Sequence, residues 1–240
     1  MRIENERRAA ASDAPAIASV GHTAALVGVM LAVALTGTLL QHAGAPVASP
    51  SVRASSTLSR IWSQYLPLLL VNALLVLYAA RLFRPRNALP QLLGKRWRRP
   101  ADALLDLLYA ALAFTLIVAL EVLTRPLFPG RNAAVSALLP STEAERLTWW
   151  VVAASVGFCE EIVYRGYLQL QLSALTRSPA LGLVLQALLF ALAHLEQGAG
   201  SALRIGVYGL ILGLLARHRS SLIPGILCHM GIDLASGLVR

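Results

Sequence analysis

Apolar residues along this 240-residue chain run in long blocks, not in the two-residue alternation of a half-buried strand. A membrane-crossing helix needs about 20 mainly apolar residues. Blocks near 23–41, 61–81, 103–123, 148–172, 180–196, 202–216 and 221–239 reach or approach that length. The pattern predicts an all-α fold, a polytopic membrane helix bundle with about seven transmembrane helices. The sixth block is short and is expected to tilt little or to sit in thinned bilayer. Residues 1–20 are polar and Ala-rich and read as a mobile N-terminal segment, and Pro46–Ser56 reads as a loop. No internal repeat is visible. The chain divides into 1–20, a set of transmembrane helices without chemical motifs over 21–147, and a C-terminal core over 148–240.

Composition agrees with the blocks. The chain is 57% hydrophobic and 14% charged, against about 45–50% apolar and about 25% charged in soluble domains. The net charge of +9 raises nucleic acid as a partner. The basic residues flank apolar blocks instead of striping one face, so the expected partner is the lipid bilayer and not nucleic acid. Arg81, Arg84, Arg86, Lys95, Arg96, Arg98 and Arg99 crowd the loop after the second block. Positive loops stay cytoplasmic. The reading is therefore a multi-pass cell-membrane protein with its N-terminus inside and, after seven spans, its C-terminus outside. The leader before the first block is too long for a signal peptide, so that block is expected to be a retained anchor. Cys159 and Cys228 both fall inside blocks, form no disulfide framework and read as small core residues.

Polar groups inside such blocks are costly, about 2.5–3.5 kcal/mol for a charge at mid-bilayer depth, and so usually mark function. The fourth block carries Glu160-Glu161 and Arg165. Residues four apart share a helix face, so Glu161 and Arg165 are expected to pair and to hold the helix. Glu160 points about 100° away and faces the bundle as a candidate general base. An ion-paired helix end at the surface is the bland alternative. The fifth block places Phe190 and His194 on one face, where a lone His is often a satisfied core residue. The seventh places His229 beside Asp233, and a carboxylate there can set the tautomer or charge of the ring.

The order EExxxR, FxxxH, HxxxD on successive late blocks is more specific than any one pair. With Glu160–Gln169 (EEIVYRGYLQ), Phe190–Leu195 (FALAHL), Gly206–Gly213 and Ile223–His229, it resembles the CPBP intramembrane proteases, also called the Abi or CAAX-protease family. The resemblance covers about residues 148–239. It implies hydrolysis of a peptide bond in a membrane-associated or secreted protein or peptide substrate. In that scheme Glu160 activates water with help from His194. His229 and Asp233 stabilise the oxyanion, and Glu161, Arg165 and Phe190 support the site. The last motif often ends in Asn, and here it is Asp233, which when ionised accepts hydrogen bonds only. Glu160, His194 and His229 also form a His₂Glu set known from catalytic zinc. HExxH is absent, and spending Glu160 as a ligand leaves no carboxylate base. The reading therefore favours no cofactor, with zinc on those three residues as the alternative. A membrane transporter and a non-enzymatic immunity protein are the other readings. The broken helices and inverted repeats of transporters are not visible.

Overall fold

The computed structural model describes residues 15–42, 57–83, 92–127 and 138–238. The leader before residue 15, the Pro46–Ser56 stretch, and Arg84 and Arg86 lie outside them. Among the described residues seven helices follow one another, and the only pairing of extended backbone is a bridge between Gly94 and Ser221. They are α1 (Val20–His42) and α2, which runs from Thr57–Arg60 through a π-helical turn into Leu66–Phe83. Then come α3 (Pro100–Thr124, with a 3₁₀ extension to Leu127) and α4. α4 consists of Glu143–Glu160, a π-helical stretch Glu161–Leu168, and Gln169–Thr176. α5 (Pro179–Leu192), α6 (Ala199–Arg219) and α7 (Ile223–Leu238) complete the bundle.

Five of these helices, α1–α4 and α6, are long and apolar enough to cross a membrane, and α5 and α7 are shorter apolar helices. The protein is a multi-pass helical membrane bundle. Two expected spans need correction. The sixth is not short, because Ala199–Arg219 has 21 residues. The fifth ends as a helix at Leu192, and the chain then turns through His194 into a 3₁₀ turn, Leu195–Gln197. Gly198, at φ +88°, closes that turn, a conformation glycine reaches without steric cost.

Local chemistry sets the helix ends. Thr142 caps α4 by accepting the Glu145 amide at 3.2 Å. Ser178 caps α5 by accepting the Leu181 amide at 3.2 Å, with Pro179 in the first turn. At the start of α3, Asp102 accepts the amides of Arg98 and Arg99 at 3.0 and 3.1 Å. These satisfy donors that a helix start leaves free.

Packing relies on small residues, as expected where lipid supplies no hydrophobic drive between helices. Buried Gln169 and Gln186 donate to the carbonyls of Gly213 and Gly209 at 3.1 and 2.9 Å, fastening α4 and α5 to α6. At the opposite end of α4, the buried pair Arg60–Glu145 closes at 2.7 Å. α1 is tied to the core by Gln171. Its amide oxygen accepts Ile17 N–H at 2.7 Å, and its nitrogen donates to Ala18 O at 2.8 Å and Thr23 Oγ1 at 3.0 Å. Val29, Leu35, Leu70, Leu74, Leu104 and Leu112 are exposed on α1–α3, which suits contact with lipid.

Gly157 is where α4 meets α7. A Cβ there would stand 2.9 Å from the Met230 backbone nitrogen. Gly157→Ala should therefore push α7 away and cost about 1–3 kcal/mol, the usual range for overpacking. The expected result is a lower melting temperature in detergent; an unchanged melt would show that the crossing is loose.

Candidate active site

Glu160 ends the α-helical part of α4, and Glu161 opens its π-helical stretch. The wide turn is visible where the Gln169 N–H bonds Tyr164 O, five residues back. Such stretches are frequent at functional sites. The backbone at Glu160 and Glu161 is itself ordinary α-helical, with φ, ψ of −67°, −39° and −61°, −38°. Both side chains reach toward one ring on α7.

That ring is His229. Its Nδ1 stands 2.8 Å from Glu161 Oε1, and its Nε2 stands 3.6 Å from Glu160 Oε2 and 3.8 Å from Asp233 Oδ2. The first is a hydrogen bond, and the other two are longer than one. Glu161 Oε1 also accepts from Arg165 Nη1 at 2.7 Å. The expected Glu161–Arg165 pair is present, with both side chains fully buried. Its role is wider than holding the helix, because the same carboxylate oxygen grips His229. Helical spacing names Arg165 as its partner but does not name His229.

The Glu160 and Asp233 side chains keep 17% and 26% of their surface exposed, whereas Glu161 and Arg165 keep none. The open side of the cluster is therefore lined by Glu160, Asp233 and the Nε2 edge of His229. At about 1.5 Å per residue, Glu160 lies about 22 Å along α4 from Glu145 and about 24 Å from Thr176, near the middle of the helix.

Phe190 organises the rest. Its ring meets His194 edge-on at 4.7 Å, His229 at 5.9 Å and Tyr164 at 4.8 Å between centroids. The Arg165 guanidinium carbon sits 4.4 Å from the Phe190 centroid, a cation–π contact. This contact helps to compensate Arg165 Nε and Nη2, which are buried without a hydrogen-bond partner. His194 lies just past the end of α5, yet it still meets Phe190, because its Nδ1 bonds Phe190 O at 2.7 Å. A carbonyl only accepts, so Nδ1 carries the proton and neutral His194 offers Nε2 as an acceptor.

Two contributors escaped the sequence reading. Tyr164, four residues after Glu160, packs its ring on Phe190, and the i, i+4 spacing was the available signal. Trp149 donates Nε1–H to Asp233 O at 3.0 Å and anchors α7; no sequence spacing links those two.

For zinc, the relevant observation is the donor arrangement. Among the described residues no three His, Cys, Asp or Glu side chains are gathered as a set able to hold a metal ion.

Residues 142–235 match the family model Rce1-like, type II CAAX prenyl endopeptidase Rce1-like. The matched segment spans α4 to α7 and holds every residue of the cluster. It agrees with the CPBP-type resemblance drawn from the motifs. No curated protein and no solved structure matches the chain.

Proposed function

We propose that this protein is an intramembrane endopeptidase of the glutamic type. The observation that carries the reading is a carboxylate, Glu160, and an imidazole edge, His229 Nε2, 3.6 Å apart on the open side of a buried network. There a base and a hydrogen-bond donor face the same opening, which is what amide hydrolysis asks of a site. The Rce1-like match over the same helices supports the reaction class.

In the proposed reaction, Glu160 takes a proton from a water on the open side of the cluster, and His194 Nε2, free to accept, helps to orient that water. The resulting hydroxide adds to the scissile carbonyl. Negative charge builds on the carbonyl oxygen, and donors aimed at that point lower the barrier most. His229 Nδ1–H is committed to Glu161, so donation from Nε2 requires the imidazolium. Glu161 holds that ring in orientation, and Asp233 supports its charge from the other side. When the C–N bond breaks, protonated Glu160 returns its proton to the leaving amine. The substrate is a protein or peptide segment at the membrane. The basic end of the bundle, with Arg81, Lys95, Arg98 and Arg217, is assigned to the cytoplasm by the positive-inside rule, which puts the N-terminus there too.

Cleavage of a fluorogenic peptide by purified protein tests the activity. A strong chelator is expected to leave the rate unchanged. Loss of cleavage that zinc restores would instead assign Glu160, His194 and His229 to a metal.

A further inference from the structure

Two basic runs far apart in the chain meet at one end of the bundle. Lys95, Arg96, Arg98 and Arg99 lead into α3, and Arg217, His218 and Arg219 end α6. Backbone bonds clamp the two segments together. Lys95 N–H donates to Ser220 O at 2.8 Å, and Leu222 N–H donates to Leu93 O at 3.0 Å. Gly94, at φ +75°, bridges to Ser221 between them.

The nearby carboxylates are already engaged. Asp106 takes Arg219 Nε at 2.7 Å and Trp97 Nε1 at 2.9 Å. Asp102 takes the Arg98 and Arg99 amides. Lys95, Arg96, Arg98, Arg99 and Arg217 are exposed, and Trp97 keeps 45% of its surface exposed beside them. The patch lies where α3 begins and α6 ends, and both helices are long and apolar enough to cross a membrane. Exposed tryptophan next to basic residues is typical of the membrane–water interface, and guanidinium forks match phosphate oxygens.

We propose that this face binds the phosphate headgroups of anionic phospholipid in the leaflet it touches. The lipid would bridge the Lys95–Arg99 segment to Arg217, adding an external tie to the clamp between α3 and α6.

The test uses the full-length protein in vesicles of neutral phosphatidylcholine mixed with anionic phosphatidylglycerol. Lipid retained after detergent extraction is identified by native mass spectrometry. Phosphatidylglycerol should be retained in preference. Lys95→Gln, Arg96→Gln and Arg98→Gln together should cut the preference by tenfold or more, since each base near a headgroup surface contributes about a fivefold factor. Arg146→Gln, an exposed base on the N-terminal turn of α4, should leave it unchanged. Equal retention of the two lipids, or an equal loss in Arg146→Gln, would overturn the proposal. If the triple variant fails to fold, wild-type protein in rising salt decides. The preference should fade as charges are screened, and full persistence at about 1 M salt, where screening acts over about 3 Å, would overturn it.

Discussion

Glu160→Gln is expected to reduce peptide cleavage by at least about 100-fold, the lower end of what a general base contributes, while the protein stays folded. The amide keeps the volume of the carboxylate but cannot take a proton from water. Stability should hold, because Glu160 makes no hydrogen bond in the Glu161–Arg165–His229 network. Its carboxylate stands 3.6 Å from His229 Nε2. Cleavage and detergent melting are measured on the same preparation. Normal turnover would remove Glu160 as the base. Lost turnover together with a collapsed melt would place it in the structural network instead.

Arg165→Ala is the variant with the largest expected effect on stability. Arg165 and Glu161 are both fully buried and 2.7 Å apart. Removing Arg165 leaves the buried Glu161 charge with only the His229 ring as partner, and breaking a buried pair costs about 3–5 kcal/mol. It also removes the guanidinium that lies against the Phe190 ring at 4.4 Å. The expected result is little folded protein in the membrane and a sharply lower melting temperature. A second variant separates support from chemistry. Glu161→Gln with Arg165→Met removes both charges together, and replacing a buried pair with a well-packed neutral one is often near neutral. The glutamine oxygen can still accept His229 Nδ1–H. Folding should recover, while cleavage stays well below wild type, because a neutral amide supports the imidazolium less than a carboxylate does. Wild-type cleavage by the double variant would show that the charge on Glu161 is dispensable to the reaction.

For the zinc alternative, residue types alone name a ligand set but not its geometry. Two histidines and a glutamate are a plausible ligand set in any sequence. Whether they can close on one ion depends on the azimuth of three helices, which spacing within each helix does not report. In the structure Phe190 contacts both rings, at 4.7 Å from His194 and 5.9 Å from His229.

The sequence by itself determined the helical membrane architecture and named most of the polar residues of the cluster. Apolar run length dictates membrane helices, because a backbone in lipid must satisfy its own hydrogen bonds. Polar residues four apart inside those runs mark one face of one helix, and EExxxR, FxxxH and HxxxD are all legible that way. Tertiary structure decided how the faces meet. Glu161 bonds His229 across 68 positions of chain, where α4 and α7 approach closely at Gly157 and Met230. Gln171 reaches back to Ile17 and Ala18, and the two basic runs join through Gly94 and Ser221. Helical periodicity gives each side chain a direction relative to its own axis. The rotation of one axis against the next is set by packing, small-residue contacts and shared hydrogen bonds, and these exist only once the helices are assembled.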